Sequence, residues 1–164
     1  MGFAIIIRGP AGTGKSEISN HLKKDIPNII HLDIDKFKHI ISKNSSNVRS
    51  AIAHNVGSFF LKQLMENNFN IVVEEIFREE YYNEIIKILE EGDYKIIKVF
   101  LTASKEMLLM RDRERAKNKG EEIIVKLEQE IKPLNEDLII DTGEKTIEEI
   151  KYIILKKLNT DGLL

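Results

Sequence analysis

Short, uninterrupted apolar segments alternate with segments of helical periodicity along this 164-residue chain. Five of the apolar segments are rich in Ile, Val and Leu, which is typical of strands buried in a parallel sheet. The predicted strands are Phe3–Arg8, Asn28–Leu32, Ile71–Val73, Tyr94–Leu101 and Leu138–Asp141. Between and after them, apolar residues recur every three or four positions, and this spacing predicts helices. The predicted helices are Ser16–Lys24, Lys36–Ile41, Val48–Glu66, Glu79–Glu91, Lys105–Arg115, Glu121–Ile131 and Thr146–Leu158.

Strands that alternate with helices in this order predict an α/β fold, in which a five-stranded parallel sheet lies between two layers of helices. In such sheets, ligands bind at the edge where the strands end. Polar residues follow four of the predicted strands, so we expect a site at that edge. They are Gly9 and its successors, Asp33 with Asp35, Glu74 with Glu75, and Thr102. The Ser- and Asn-rich segment Ser42–Ser50 is predicted to be a mobile loop within the domain.

Length and composition narrow the class of protein. A chain of 164 residues is predicted to form one domain, residues 1–164, with a sizeable core. Its 25 basic and 27 acidic residues give a net charge of −2, so no overall cationic field points to a nucleic acid partner. It has no cysteine, which excludes disulfides and thiolate metal sites. No apolar segment resembles a leader or a membrane span, so we expect a cytoplasmic protein.

One octapeptide between the first predicted strand and helix carries the clearest chemistry. Residues 9–16 match the pattern G-x-x-x-x-G-K-[ST], which binds nucleoside triphosphates through backbone N–H groups. Its glycines permit close approach to the β-phosphate, and the following helix N-terminus favours the negative charge. We therefore expect a nucleoside triphosphate to bind here. The predicted nucleotide-binding residues are Gly9, Pro10, Ala11, Gly12, Thr13, Gly14, Lys15 and Ser16.

Lys15 and Ser16 have separate predicted roles within the loop. Lys15 is expected to reach the β- and γ-phosphates and to act in catalysis. The Ser16 hydroxyl is expected to bind Mg²⁺, which prefers hard oxygen ligands. The four histidines of the chain lack a compact metal-binding spacing and are predicted to be surface or packing residues. They are His21, His31, His39 and His54.

Two carboxylates after the second predicted strand indicate that the phosphate is transferred to a hydroxyl group. Asp33 and Asp35 are two positions apart, so one can lie near the Mg²⁺ water shell while the other accepts a proton from an attacking hydroxyl. A pair in this position can also cap the following helix, which by itself is worth about 1 kcal/mol. We predict that Asp33 belongs to the metal site and that Asp35 is catalytic.

With these features in place, the chain resembles the small phosphotransferases of the P-loop kinase superfamily. The resemblance rests on the octapeptide, on Asp35-Lys-Phe-Lys38, on the carboxylate-ended strand Ile71–Glu75 and on Arg111-Asp-Arg-Glu-Arg115. Chloramphenicol phosphotransferase and the polynucleotide 5′-kinase domain are the branches that it resembles most. The resemblance extends over nearly the whole chain and implies a three-layer P-loop fold with a short helical lid at about residues 111–121.

The resemblance implies roles on the acceptor side of the site. Asp35 falls on the catalytic general base of these kinases, and Lys38 falls on an arginine that holds the acceptor's 3′-phosphate in the polynucleotide branch. Because lysine lacks the bidentate fork of arginine, this difference disfavours a polynucleotide acceptor. Glu74 and Glu75 resemble paired carboxylates at the same strand end of the antibiotic kinase. Together with Arg78 they are predicted to line the acceptor pocket.

The resemblance also implies a catalytic lid. Arg111 and Arg115 lie four positions apart on one predicted helix and therefore share a face. By resemblance, this pair stabilises the transferring phosphoryl group or stacks on the adenine. A solvated helix whose arginines pair with neighbouring acidic residues is the alternative. Thr142 lies in a segment that resembles the base-flanking loop of adenylate-kinase-like proteins, which implies contact with the nucleotide.

The sequence therefore predicts an ATP- and Mg²⁺-dependent kinase that transfers the γ-phosphate to a hydroxyl group of a small molecule. Acidic residues in the acceptor pocket suit a neutral or cationic acceptor and repel a phosphodiester. Three alternatives stay open. A polynucleotide or nucleoside 5′-hydroxyl kinase and a toxin-like kinase that acts on a sugar nucleotide share the same parts. A nucleotide-dependent switch ATPase belongs to another class, and Asp35 beside the loop favours transfer over it.

Overall fold

The computed structural model describes residues 2–41 and 46–164, which form an α/β fold. Five strands make one parallel sheet in the order β2-β3-β1-β4-β5, which confirms the predicted sheet. The strands are β1 (Phe3–Arg8), β2 (Ile29–Asp33), β3 (Asn70–Glu74), β4 (Lys95–Thr102) and β5 (Leu138–Asp141). The helices are α1 (Lys15–Asp25), α2 (Ile34–Ile40), α3 (Ser46–Glu66), α4 (Glu79–Glu91), α5 (Lys105–Arg113), α6 (Glu121–Glu130) and α7 (Ile147–Thr160). Within the described ranges, no helix has the length and hydropathy that crossing a bilayer requires.

Strand β1 lies at the centre of the sheet and is buried along its whole length. Because side chains alternate across a strand, Phe3, Ile5 and Ile7 face one side of the sheet, and Ala4 and Ile6 face the other. The first set packs with residues of α1 and α7, and the second set packs with residues of α3 and α4. Helices therefore cover both faces, and β1 delivers the loop that follows it to the middle of the carboxyl edge.

A smaller apolar cluster holds α5 and α6 beside that loop. Ala11 of the loop packs with Ala103, with Leu108 of α5 and with Ile124 of α6. All four residues are buried. The two helices that flank the predicted lid are thus fixed to the nucleotide-binding loop by apolar contacts, while the segment between them is exposed.

Two element boundaries differ from the prediction in a way that matters for function. Helix α5 ends at Arg113 rather than Arg115, because Asp112 accepts hydrogen bonds from the N–H groups of Lys119 and Gly120 and holds the chain in a turn. Helix α3 begins at Ser46, two residues before the predicted start at Val48, so it includes the end of the segment that was predicted as loop. The rest of the predicted loop, residues 42–45, lies outside the described residues.

Candidate active site

The loop after β1 has the geometry that the sequence predicts for a phosphate site. Gly9, Gly12 and Gly14 adopt φ values of 148°, 92° and 86°, in the region that favours glycine. A Cβ at Gly9 would lie 2.2 Å from the carbonyl oxygen of Leu101, so the loop packs against β4 more closely than any side chain allows. Helix α1 begins at Lys15, and the free N–H groups of its first turn favour an anion at the loop.

Three residues of the octapeptide maintain the shape of the loop. The buried Thr13 side chain donates a hydrogen bond from Oγ1 to the carbonyl oxygen of Pro10, over 2.9 Å. Ala11 is turned into the small apolar cluster with Leu108. Because the Ala11 and Thr13 side chains are engaged within the protein, these two residues have only backbone N–H groups to offer a phosphate, whereas Pro10 has no N–H and contributes its carbonyl to the loop.

Lys15 is buried beside the loop and is bound to the loop's own carbonyl groups. Its Nζ donates hydrogen bonds to the carbonyl oxygens of Gly9 and Pro10, over 2.8 and 2.9 Å. Burial lowers the pKa of Lys15 to about 8, although the negative charges of Glu74 and Asp35 act in the opposite direction. A buried cation held only by neutral carbonyl groups is a ready partner for a phosphate anion.

Glu74, at the end of β3, joins the loop to strand β2. The Ser16 hydroxyl donates a hydrogen bond to Glu74 Oε1, and His31 Nε2 lies 2.6 Å from Glu74 Oε2. Burial opposes ionisation of Glu74, but the hydrogen bonds from His31 and Ser16 outweigh it, so the pKa of Glu74 lies below its ordinary value. Glu74 is predicted to line the acceptor pocket, whereas it contacts the predicted metal ligand Ser16.

Asp33 lies beside Glu74, because the two residues are in register in neighbouring strands. Burial, and next the negative charges of Glu74 and Asp35, raise the pKa of Asp33. Ligand atoms of His31, Asp33 and Glu74 lie within 4.8 Å of one another, which is a spacing that can hold a metal ion. The Asp33 side chain makes no capping hydrogen bond to α2, so the helix-cap interpretation does not account for this residue.

The participation of His31 is absent from the sequence analysis, which placed it with the surface and packing residues. Its side chain is only 4% exposed and reaches Glu74 across the β2–β3 pair. The two residues are 43 positions apart in the chain. Their proximity follows from the strand register, which is set by pairing rather than by local spacing, so no short sequence signal marks it.

On the acceptor side, Lys38 joins the predicted base to the second glutamate of the strand end. Lys38 Nζ lies 2.8 Å from Asp35 Oδ1 and 2.5 Å from Glu75 Oε1. Burial opposes the charge of Lys38, but Glu75 and Asp35 outweigh it and raise the pKa of Lys38. Glu74 and Glu75 make contacts in different parts of the site: Glu74 reaches Ser16, and Glu75 reaches Lys38.

Helix α3 supplies a histidine to this side of the site that the sequence analysis did not single out. His54 is buried, and its Nε2 lies 3.0 Å from Glu75 Oε1. The His54 ring stacks on Tyr81 of α4, with 3.5 Å between the ring centroids and 3° between the planes. Glu75 Oε2 is buried and has no hydrogen-bond partner among the described residues. The acceptor side thus contains a buried carboxylate oxygen that is free to accept a hydrogen bond from a ligand.

Arg78 lies farther from the predicted base than the sequence analysis implied. Its guanidinium is 3.6 Å from Glu130 of α6, and its side chain is 67% exposed. The backbone that leads to it is fixed at Phe77, which has a φ of 48° and whose carbonyl oxygen accepts a hydrogen bond from the buried Arg8. The structure therefore brings Asp35, Lys38 and Glu75 together and leaves Arg78 at α6.

Arg111 and Thr142 connect the phosphate loop to the ends of two strands. Arg111 donates hydrogen bonds to the carbonyl oxygen of Gly12, to Thr142 Oγ1 and to the carbonyl oxygen of Thr142, over 3.2, 2.9 and 2.8 Å. The Thr142 hydroxyl in turn donates to the carbonyl oxygen of Thr102. Both predicted residues thus lie beside the loop, and their side chains are hydrogen-bonded to one another.

Arg115 is placed differently from the prediction. Because α5 ends at Arg113, Arg111 and Arg115 do not share a helix face. The positive charges of Arg115 and Lys119 nevertheless contribute to lowering the pKa of Lys15, so both cations act on the phosphate loop. Arg113 lies instead 3.8 Å from Glu121. The exposed turn after α5 thus carries two cations, Arg115 and Lys119, whose charges act on Lys15, and Lys119 was not among the predicted residues.

The fold and the loop together define an ATP-binding kinase of the P-loop class. The family model described as Zeta toxin matches residues 3–155. The chain therefore belongs to the zeta toxin family.

Individual proteins show the same likeness. A curated relative named guanylate kinase, from Mycoplasmoides gallisepticum, is 27% identical over 95% of this chain and 93% of its own length. The APS kinase of Mycobacterium tuberculosis, solved with AMPPNP and APS, superposes with a TM-score of 0.75 at 20% identity, over 96% of this chain and 98% of that one. A gluconokinase from Sinorhizobium meliloti superposes with a TM-score of 0.70 at 15% identity, over 96% of this chain and 92% of that one. At these identities the solved structures establish a shared fold.

Proposed function

We propose that this kinase transfers the γ-phosphate of ATP, bound with Mg²⁺, to a hydroxyl group of a small molecule. The observation that carries the proposal is the position of Asp35. Its negative charge acts on Lys15 at the phosphate loop. Its carboxylate is bound to Lys38, which also contacts Glu75. A general base between a phosphate site and a polar pocket is the arrangement that phosphoryl transfer to an alcohol requires.

Ser16, Glu74 and Asp33 are the residues that would hold the metal. They offer a hydroxyl and two carboxylates, which are the hard oxygen ligands that Mg²⁺ prefers, and they converge beside the N-terminus of α1. Bound Mg²⁺ neutralises charge on the β- and γ-phosphates. We therefore assign Glu74 to the metal and keep Glu75 for the acceptor.

The cations of the loop and of the lid would stabilise the transferring phosphoryl group. Lys15 is expected to exchange its bonds to the Gly9 and Pro10 carbonyls for bonds to the β- and γ-phosphates. Arg111 already contacts the loop at Gly12. Arg115 lies in the exposed turn after α5, and its positive charge acts on Lys15. These groups add positive charge where negative charge accumulates during transfer.

Asp35 would act on the acceptor itself. As the acceptor hydroxyl oxygen bonds to the γ-phosphorus, its proton passes to the Asp35 carboxylate and the bond to the β–γ bridging oxygen breaks, which releases ADP. Lys38 engages only Oδ1 of Asp35, over 2.8 Å, so Oδ2 would accept the proton while Lys38 stays in place and orients the carboxylate.

The charges around Asp35 favour a compact acceptor. Glu75 and Asp35 supply two carboxylates to one lysine, and Glu75 Oε2 is free to accept a hydrogen bond. A polyhydroxyl or amine-bearing molecule supplies such donors, whereas an extended phosphodiester meets repulsion. GMP belongs in the test because of the relative named guanylate kinase, and sugar nucleotides belong in it because the sequence left a kinase acting on a sugar nucleotide open.

The experiment is a transfer assay with γ-labelled MgATP and a panel of acceptors. The panel contains polyols, sugars, amino sugars, sugar nucleotides, nucleosides, GMP and an oligonucleotide with a free 5′-hydroxyl. We expect label on a hydroxyl of a small molecule, with ADP released in equal amount. Label on GMP or on the oligonucleotide end would overturn the proposed acceptor class. ATP hydrolysis that no acceptor stimulates would identify a switch ATPase instead.

A further inference from the structure

Helix α3 carries a row of large apolar side chains that face away from the sheet. The row recurs at helical spacing and is well exposed, with Phe59 at 66% and Val48 at 57%. The remaining members are between 41% and 42% exposed. We call this surface the α3 stripe, and its residues are Val48, Ile52, Val56, Phe59 and Phe60. The opposite face of α3 is buried in the core through Ala53, Leu61 and Leu64.

We propose that the α3 stripe is the interface of a homodimer, in which α3 packs against α3 of a second copy. The two helices would run antiparallel across a two-fold axis that passes near Val56. Each copy then presents the same surface, as an isologous contact requires. This inference is independent of the proposed catalytic function, since it uses only residues on the outer face of α3.

The chemistry of the stripe fits a second copy of the chain. In a protein with 32% charged residues, the segment from Ser50 to Leu61 contains no Lys, Arg, Asp or Glu. A surface that meets itself across a two-fold axis places like charges together, and an uncharged surface avoids that repulsion. A membrane surface fits less well, because helices that lie on lipid carry lysine and arginine along the polar face.

The area of the α3 stripe fits a weak dimer interface. Five large side chains at these exposures leave on the order of 400 Å² of apolar surface on each copy, which is within the range of the largest patch on a typical monomer, a patch that is often functional. A symmetric pair would bury on the order of 800 Å² from the stripe, which is below the roughly 1,200 Å² at which stable interfaces begin and is the size of a weak, transient interface. We therefore expect a dissociation constant in the micromolar range.

Dimerisation through this helix would also support the acceptor side of the site. The buried face of α3 carries His54, which lies against Glu75, and Ser58, which donates a hydrogen bond to Glu84 of α4. A helix fixed on both faces holds these contacts more rigidly than a helix exposed on one. Dimerisation through the α3 stripe is thus expected to make the contacts of His54 and Ser58 beside the acceptor site more rigid.

Sedimentation equilibrium on the full chain tests the interface. We expect wild type to pass from monomer to dimer over the micromolar range. Val56→Glu should weaken the dimer at least tenfold, because it buries an unpaired charge at the two-fold axis. Ala51→Glu is the matched control, since it adds the same charge to an exposed position off the stripe. Phe59→Glu replaces Val56→Glu if that variant has a changed circular dichroism spectrum.

A single cysteine tests the geometry, because the natural chain has none. Under mild oxidation, Val56→Cys should form a covalent dimer, whereas Ala51→Cys should remain a monomer. A wild type that stays monomeric at 100 μM, about 100 times a micromolar dissociation constant, would overturn the proposal. A dimer that Val56→Glu and Phe59→Glu leave intact would overturn it as well.

Discussion

At the scale of single residues, Lys15 is a buried charge that contacts no charge of opposite sign in the described part of the chain. Its ammonium group is buried and is bound to two carbonyl oxygens. Burial holds its pKa at about 8, below the ordinary 10.5. The cost of this charge is borne by the unliganded protein and is relieved when a phosphate anion binds. Lys15 therefore favours nucleotide binding but lowers the stability of the unliganded protein.

This opposition predicts a stabilising substitution. Lys15→Met should raise the free energy of unfolding of the unliganded protein at pH 7, by on the order of 2 kcal/mol, and abolish tight ATP binding. The folded-state pKa lies below the unfolded value, so the unfolded chain binds more protons between about pH 8 and 10.5. Wild-type stability should therefore gain from Lys15 as pH rises through that window.

Urea unfolding at pH 7 and pH 10 measures both effects, with Lys62→Met, an exposed lysine, as the control. The gain from pH 7 to pH 10 should be smaller in Lys15→Met than in wild type and unchanged in Lys62→Met. Equal pH dependence in wild type and Lys15→Met, or a destabilised Lys15→Met, would show that the charge of Lys15 carries no such cost.

The neighbouring glutamates allow metal and acceptor functions to be separated. Glu74→Gln should weaken MgATP binding by about 10- to 100-fold, because it removes a carboxylate bound to Ser16. Its effect on ATP binding in EDTA should be small. Glu75→Gln should leave MgATP affinity unchanged, since Glu75 contacts Lys38 and His54 instead. Isothermal titration calorimetry with and without Mg²⁺ measures each variant. Equal losses of MgATP affinity in both variants would contradict this division.

The residues that sequence alone identified are those with a local signature. The octapeptide was recognisable because the chemistry needs adjacent residues, and Asp33 and Asp35 because they follow a strand directly. His31, His54 and Lys119 were missed, because each reaches the site through strand pairing, helix packing or a turn. The different roles proposed for Glu74 and Glu75 likewise depend on contacts with distant residues, since Glu74 contacts Ser16 and Glu75 contacts Lys38.

At the scale of elements, Asp112 fixes the turn between α5 and α6, which lies in the predicted lid. The buried carboxylate of Asp112 accepts hydrogen bonds from the N–H groups of Lys119 and Gly120 and so joins the two ends of the turn. The sequence analysis placed Arg111 and Arg115 on one helix, because apolar and charged spacing continues past Arg113. Asp112 ends that helix through contacts with residues seven and eight positions later, which periodicity does not reveal.

Removing this contact should loosen the lid. In Asp112→Asn, amide exchange of residues 114–120 should quicken by about tenfold or more, because a charge-assisted pair of hydrogen bonds is weakened. A non-hydrolysable MgATP analogue should restore protection in wild type and variant, since a kinase excludes water during transfer. Glu114→Gln, an exposed carboxylate of the same turn, is the control. Exchange that is the same in Asp112→Asn as in Glu114→Gln would argue against a lid held by Asp112.

At the scale of the whole molecule, the sheet order accounts for the site. The central position of β1 brings the phosphate loop between the ends of β3 and β4, and β2 lies beyond β3. The sequence predicted five parallel strands because buried strands and amphipathic helices alternate, and it predicted a shared edge because parallel strands end together. The strand order and register came from the structure, since they depend on pairing between distant segments.

The charge of the whole molecule predicts its behaviour toward nucleic acid. A net charge of −2, together with the carboxylates Asp35 and Glu75 on the acceptor side, provides no continuous cationic track. Single-stranded DNA and RNA should therefore bind weakly, with dissociation constants above about 10 μM at physiological salt and a shallow salt dependence. Fluorescence anisotropy at 50 and 200 mM salt measures this. Sub-micromolar binding that falls steeply with salt would favour the polynucleotide kinase instead.

The central claim is that Asp35 is the base for transfer to an acceptor hydroxyl at an intact nucleotide site. The most direct test measures MgATP affinity and single-turnover transfer in Asp35→Asn and Asp33→Asn, with the acceptor that the panel identifies. We predict that Asp35→Asn keeps its MgATP affinity within about threefold and loses transfer by about 100-fold or more, since only the base and the acceptor contact are removed. Asp33→Asn should chiefly weaken Mg²⁺-dependent nucleotide binding. Transfer by Asp35→Asn at the wild-type rate would contradict the account.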